Sequence, residues 1–442
     1  MDYIPFDKKD VDELLSAIGV NSIEDLFLDV PDELKVESLN LPGGLSEFDL
    51  LREMKSIASK NKIYKSSFLG AGIYYHYIPS TVEFITRRSE FYTSYTPYQA
   101  EASQGMLQAI YEYQTAITRL TRMDVSNASM YNGATALAEA ALISTIITRK
   151  DKILVAKGLH PEYLEVLKTY CWAQEIQIEI IEIDEVLTKQ SEDIAALIIQ
   201  SPNFFGDIED MDSIVKCVRI NLPDSLVIHV MTDPTCLGIL KPPGSCDVDI
   251  FVAEGQPLGI SPSLGGPSLG IFTAKKKFLR KIPGRLVGKT KEINGDRTGY
   301  ILTLQTREQH IRREKAISNI CTNEALTALA ALIYIMTLGE KGLSEVAKQN
   351  LQKAHYVKEK LNLIKGFQVL NQKPTYNEFI VKCPNIDEFF QICEQQGLLP
   401  PLKVSDYFAE MKDVALVCVT ELNSVHDIEL FLSIAEKISK ED

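Results

Sequence analysis

The sequence predicts an α/β fold: an N-terminal helical segment (residues 1–60), a large domain with a mainly parallel sheet (61–330), and a connecting helix leading into a small C-terminal α/β domain (331–442). Three observations carry this. Short apolar, β-branched runs without polar alternation, at 153–156, 195–200, 225–231 and 249–253, suit strands covered on both faces. Helical spacings at 161–173 and 211–221 lie between them. The C-terminal end reads β-α-β-α, at 379–383, 386–396, 414–419 and 425–440.

From the N-terminus, Val11, Leu14, Leu15 and Ile18, then Ile23, Leu26 and Phe27, recur at helical spacing and predict two short amphipathic helices, the second stopped by Pro31. Leu41-Pro42-Gly43-Gly44-Leu45-Ser46 is a turn, and a helix follows at 47–59. Residues 61–103 hold Phe68-Leu69-Gly70-Ala71-Gly72 together with Tyr74, Tyr75, His76, Tyr77, Phe91, Tyr92, Tyr95 and Tyr98. Glycine and aromatic residues at this density, without periodicity, predict an irregular ordered segment that either lines a cleft or packs under a loop. Met106, Leu107, Ile110, Tyr113, Ile117 and Leu120 mark a helix, and another runs over 136–147. Strands at 176–183 and 270–273 complete the alternation. Past Arg307 the spacing is helical from 308 to about 363, broken near Gly339 and Gly342.

Lys and Arg total 46 against 60 Asp and Glu, a net charge of −14 that argues against nucleic acid as a partner. With 45% apolar and 24% charged residues, wholesale disorder is excluded. The eight cysteines form no CxxC pair and no Cys/His cluster of zinc spacing, so no metal is expected and the thiols read as buried in a reducing compartment. The opening MDYIPFDKKD lacks a targeting pattern, and the apolar run 325–338 is too short to cross a bilayer. The expectation is a cytoplasmic protein with no membrane partner.

Gly70-Ala71-Gly72 and Gly265-Gly266 lack the third glycine and the setting of a dinucleotide site, and Walker A, HExxH and GxSxG sequences are absent. Three features remain. Asn132-Gly133-Ala134-Thr135 opens a helix, and is either an anion cradle or simply a helix start. Asp233 ends a strand before Pro234, where it either pairs with a pyridinium nitrogen or initiates a turn. The loop from Ala253-Glu254-Gly255-Gln256-Pro257-Leu258-Gly259 to Ser263-Leu264-Gly265-Gly266-Pro267 is rich in Gly, Ser and Pro and contains no lysine.

The helix, G-A-T turn, alternating sheet, strand-end Asp, Gly-rich loop and terminal small domain occur in the order of fold-type I pyridoxal-phosphate (PLP) enzymes. More closely, the sequence resembles the glycine-cleavage P-protein family, in the subunit 1 form of its two-chain members. The resemblance rests on Phe68-Leu69-Gly70-Ala71-Gly72, Tyr92-Thr93-Ser94-Tyr95-Thr96-Pro97-Tyr98-Gln99-Ala100-Glu101, Asn132-Gly133-Ala134-Thr135-Ala136-Leu137, Gly255-Gln256-Pro257-Leu258-Gly259 with Gly265-Gly266-Pro267, and the stretch from Leu304-Gln305-Thr306-Arg307-Glu308-Gln309-His310 to Ser318-Asn319-Ile320-Cys321-Thr322.

The resemblance implies a glycine dehydrogenase (aminomethyl-transferring) that decarboxylates glycine and passes the aminomethyl group to the lipoyl arm of H-protein, working as an α2β2 assembly with a subunit 2 that binds PLP through a lysine. Counting back from the shared glycines, Gln256 stands at that lysine's position, and a carboxamide forms no imine. No catalytic residue is then expected on this chain alone. Gly133, Ala134, Thr135 and Asp233 are implied to be a degenerate cofactor site, while Tyr95, Thr96, Tyr98 and Gln99 complete the partner's cleft; Pro97 argues against Tyr95 and Tyr98 simply packing on one helical face, and His76 either joins them or is a satisfied core residue. Arg307, Arg312 and Arg313 either steer an acidic carrier or form helix-face salt bridges. Two rival readings are a self-sufficient PLP lyase or transferase using Lys241 or Lys275, and a non-catalytic partner that stabilises subunit 2.

Overall fold

The computed structural model describes residues 5–36, 38–186, 188, 191–263, 265–293 and 295–441. Leu264 of the Gly-rich loop and the first four residues lie outside them. The chain forms two compact units, 1–63 and 64–442.

The first unit contains the helix Lys8–Ile18, started by a reciprocal cap in which Asp7 accepts from the Asp10 N–H and Asp10 from the Asp7 N–H, and ended by Gly19 at φ 78°. The expected second helix shrinks to a single 3-10 turn, Glu24–Phe27, because Pro31 and the short 28–30 link leave no room for a hydrogen-bonded α-turn to propagate. Ser46 caps the helix Glu47–Ala58. Neither α-helix contains a buried residue; Leu14, Ile18, Phe48, Leu51, Met54 and Ile57 are all exposed.

The second unit is organised on a seven-stranded sheet. Its strands are β1 (Val125–Ser126), β2 (Lys152–Ala156), β3 (Gln177–Ile181), β4 (Ile194–Gln200), β5 (Leu226–Met231), β6 (Ile250–Glu254) and β7 (Gly270–Ala274). They lie in the order β1-β7-β6-β5-β4-β2-β3; β3, β2, β4, β5 and β6 run parallel, and β7 and β1 are antiparallel additions at one edge. Every residue of β4, β5, β6 and β7 is buried, as continuous apolar runs demand. Ile198, Ile228, Val230, Ile250 and Val252 meet the helices Gly133–Thr148 and Pro161–Ala173 on one face. Leu197, Ile199, Val227, Phe251 and Ala253 meet Gln104–Thr121, Met211–Asn221 and the start of Ala325–Leu363 on the other. The strand period of two thus sends alternate residues into two separate cores.

The segment 61–103 is less irregular than its composition suggests: it contains the short helices Ser80–Thr86 and Ser89–Tyr92, whose exposed faces hide the apolar period. The helix expected from 308 onward is a correction. Gln309–Arg312 forms a single α-turn and Arg313–Lys315 a 3-10 turn, with Arg313 at φ 54° breaking the helix between them, and regular helix starts at Ala325. Arg307 is buried and donates to the carbonyls of Leu304, Ile282 and Gly284, which ties this stretch to a loop instead of to its own next turn. A hairpin, Val287–Lys291 with Thr298–Leu302, precedes it; its short strands, with glycines and lysines and half of their residues exposed, lack the continuous apolar run that marks the central sheet. The long helix changes direction at Gly339 (φ 61°), and its apolar start is packed into the core, with Ala328–Tyr334 buried throughout.

The C-terminal strands Glu378–Lys382 and Val414–Cys418 pair antiparallel inside a four-stranded sheet covered by Ile386–Gln395 and Val425–Glu441. Phe68 enters this core and stacks on Phe431 at 4.1 Å, while Ser66–Ser67 pairs with Leu398–Leu399. Residues 64–72 therefore begin in the small domain and lead the chain across to the C-terminal edge of the large sheet, where ligands of open α/β sheets bind.

Candidate functional site

At that edge, β6 ends in Glu254 beside the N-terminus of Gly133–Thr148. Asn132 caps the helix: its Oδ1 accepts from the Thr135 N–H (2.8 Å), and the Thr135 hydroxyl accepts from the Asn132 N–H (3.3 Å). The Gly133 N–H donates to Glu254 Oε2 at 2.9 Å. Glu254 Oε1 accepts from the N–H groups of Gln256 (2.9 Å) and Leu269 (3.1 Å). Burial pushes the Glu254 carboxyl up, and the surrounding backbone N–H groups pull against it. A Cβ on Gly133 would lie 2.3 Å from the Tyr163 hydroxyl and 2.9 Å from the Glu254 nitrogen, so only glycine allows this approach.

Gln256 is equally committed. Its Oε1 accepts from the Tyr74 N–H (2.9 Å), and its Nε2 donates to the carbonyls of Tyr74 (2.9 Å) and Ile260 (2.7 Å). Asn132, Ala134, Glu254, Gln256, His160 and Tyr163 line a cavity of about 650 Å³ together with the glycines of the 265–266 turn. PLP does not fit this cavity on its own terms. Among the described residues no lysine lines it and the Gln256 amide forms no imine, while the Gly133 N–H at the helix N-terminus, a natural seat for a phosphate, already holds the Glu254 carboxylate.

Asp233 lies outside the cavity lining, behind the 68–77 segment. It initiates the turn Pro234–Gly238, accepting from the Thr235 N–H (3.0 Å) and hydroxyl (2.5 Å) and from Asn377 Nδ2 (2.7 Å). His76 stands apart from Tyr95–Gln99: it is buried, with Nε2 3.2 Å from Asp233 and Nδ1 2.8 Å from Glu421. Burial opposes a charge on His76, but Asp233 and Glu421 outweigh it and push the imidazole up to about 10. Beside them Glu378 accepts from the Ala71 N–H (2.6 Å) and the Tyr74 hydroxyl (2.7 Å). A Cβ on Gly70 would sit 2.3 Å from the Glu378 carboxylate, which is why the Phe68–Gly72 motif needs its first glycine.

Burial, opposed by the Ala71 N–H and the Tyr74 hydroxyl and reinforced by Asp233, pushes the Glu378 carboxyl from 4.5 up to about 7. Its folded-state value is above the unfolded one, so its contribution is complete below pH 4.5 and lost as pH rises to about 7, roughly 3 kcal/mol in all. Melting temperature measured from pH 5 to 8 is expected to decline through this window, and the decline to flatten in Glu378→Gln.

The tyrosine motif forms a second, separate surface. Tyr95, Thr96, Tyr98 and Gln99 line a groove of about 690 Å³ with Glu90, Phe91 and Ser103. Tyr95 is 83% exposed and Tyr98 51%. The Thr96 hydroxyl lies 3.3 Å from that of Thr322, so the two motifs 92–101 and 304–322 meet here. Arg285, which sequence reasoning missed, joins them: Nη2 donates to the Tyr98 hydroxyl at 2.8 Å and to the Cys321 carbonyl. Only its place in the motif-free Pro283-Gly284-Arg285 turn marks it in the sequence.

The rival lysines are elsewhere. Lys241 pairs with Asp212, and Lys275 with Asp247 and Asp249, at the start of β6; the strand places Lys275 about 16 Å from its Glu254 end. Of the arginines expected to steer a carrier or form helix-face salt bridges, Arg307 is buried on carbonyls and Arg312 Nε donates to the Thr306 carbonyl at 3.0 Å. No group of three or more His, Cys, Asp or Glu placed to hold a metal occurs among the described residues.

The sheet order, the small domain and the cavity at the strand ends define the fold of fold-type I PLP-dependent enzymes; glutamate decarboxylase of Lactobacillus brevis superposes with a TM-score of 0.68 at 13% identity, covering 94% of this chain and 97% of its own. A crystal structure of inhibitor-bound glycine decarboxylase (P-protein) of the glycine cleavage system superposes with a TM-score of 0.90 at 38% identity, covering 99% of this chain and all of that one. The glycine cleavage system P-protein family model matches residues 1–434. The probable glycine dehydrogenase (decarboxylating) subunit 1 of Carboxydothermus hydrogenoformans is 46% identical over 97% of this chain and 98% of its own length, and that of Listeria innocua 47% identical over 99% of both. The chain belongs to the glycine cleavage system P-protein family.

Proposed function

We propose that this chain is the subunit of a glycine decarboxylase that completes, but does not itself hold, the cofactor site. One observation carries the reading: the Gln256 amide and the Glu254 carboxylate are committed to hydrogen bonds of their own in the cavity at the strand ends, which offers neither an amine for an imine nor a free helix N-terminus, while Tyr95, Thr96, Tyr98 and Gln99 line a second groove. The names of the relatives, which specify a subunit 1, support a subunit 2 as partner. PLP, bound by that partner's lysine, supplies the electron sink for loss of carbon dioxide from glycine. The tyrosines of this chain bind and orient the small substrate at the joint surface and exclude water from it. The aminomethyl product then passes to the lipoyl arm of H-protein, from an α2β2 assembly in the cytoplasm.

The test is reconstitution. The purified chain is expected to release no carbon dioxide from glycine until subunit 2 is added, and Tyr95→Phe is expected to lower turnover of the complex roughly tenfold or more. Because Tyr95 is so exposed, its loss is expected to leave chain stability within about 0.5 kcal/mol. Decarboxylation by the lone chain, or full activity of subunit 2 without it, overturns the proposal. Unchanged turnover in Tyr95→Phe with the complex intact favours a purely stabilising partner.

A further inference from the structure

We propose that Arg285 is a positioning residue that sets Tyr98 and the 321–322 rim for work at the partner-facing groove, an inference that rests on the reading of that groove given above. Arg285 is only 2% exposed; its charge is felt by the buried Glu308 carboxyl, but among the described residues no carboxylate is seen in a direct ion pair with it, and its Nε and Nη1 N–H groups are buried without an acceptor. A buried cation in this condition is expensive, and a leucine or methionine would fill the same space at lower cost. Such a group is retained where its directionality is used.

The direction is plain. The guanidinium carbon lies 4.7 Å from the Tyr98 ring centroid, and Nη2 reaches the Tyr98 oxygen at 2.8 Å. A phenol oxygen that accepts from a cation keeps its own O–H free to donate, and the charge behind it polarises that O–H into a stronger donor. Tyr98 is half-exposed and lines the groove, so this is the side on which a ligand arrives. The same Nη2 holds the Cys321 carbonyl, and the next residue, Thr322, meets Thr96 across the rim. His310 also meets Tyr98, edge to face, with ring centroids 6.2 Å apart. One planar side chain therefore fixes two segments that are far apart in sequence, a task for which lysine, with a single point of charge, lacks the geometry.

The experiment is a double-mutant cycle in the assembled complex with subunit 2: Tyr98→Phe, Arg285→Lys, and both together. The two readouts are glycine affinity, followed by the change in cofactor absorbance on titration, and turnover. Each single substitution is expected to cost roughly tenfold in turnover or affinity, and the pair no more than about twofold beyond Tyr98→Phe alone, because the arginine acts through the phenol. If Arg285→Lys fails to assemble, Arg285→Gln, which keeps a planar N–H donor, takes its place in the cycle. A costly Tyr98→Phe whose loss simply multiplies with that of Arg285→Lys overturns the inference and leaves the groove reading intact. A Tyr98→Phe silent in both readouts overturns the inference together with Tyr98's place in the groove.

Discussion

Replacing His76 with leucine is expected to destabilise the chain by about 3–5 kcal/mol, read as a fall in the urea midpoint without a change in slope. The imidazole bridges Asp233 and Glu421, both nearly fully buried, and its removal takes away the cation that stands between the two carboxylates. Leucine nearly fills the volume, so a loss of packing predicts a much smaller effect. The diagnostic is partial recovery in His76→Leu combined with Glu421→Gln, where one of the stranded charges is gone. A double substitution that is simply worse than either single one refutes the electrostatic account. The cluster also ties the 68–77 segment to the small domain, since Glu421 accepts from the Tyr77 N–H at 2.6 Å.

The second large expectation concerns the lost nucleophile. Gln256→Lys is expected not to create a second cofactor site: PLP content of the assembled complex stays at its original value, and borohydride fixes no cofactor to this chain. The reason is Glu254, whose carboxylate occupies the helix N-terminus through the Gly133 N–H and leaves a phosphate to face like charge in a dry site. Only when Glu254→Ser accompanies Gln256→Lys are the Gly133 and Leu269 N–H groups free for an anion, and only then is extra PLP expected. A lysine substitution that alone turns this chain into a covalent PLP carrier disproves the assignment.

Much of the architecture was legible because its signals are local. The parallel strands announced themselves as unbroken apolar runs, and helices such as Pro161–Ala173 by spacing and a proline at the first turn. That the loop around Gln256 holds no lysine was legible too, since an absence of lysine needs no coordinates. What the sequence hid is pairing at long range. His76 finds Glu421, 345 residues away; Ala71 finds Glu378, 307 away; Gln256 finds Tyr74, 182 away. Neither the ion pair that buries His76 nor the hold of Glu254 on the helix N-terminus follows from periodicity or motif, because the deciding partner lies in another domain or beyond another strand. The 308–324 stretch misled for a related reason: its charged residues mimic a helix face, but Arg307 spends its donors on a distant loop.

The helices Lys8–Ile18 and Glu47–Ala58 present Leu14, Ile18, Phe48, Leu51, Met54 and Ile57 to water, in lengths that are marginal as isolated helices. Purified alone, this polypeptide therefore carries a sticky N-terminal surface prone to aggregation and proteolysis.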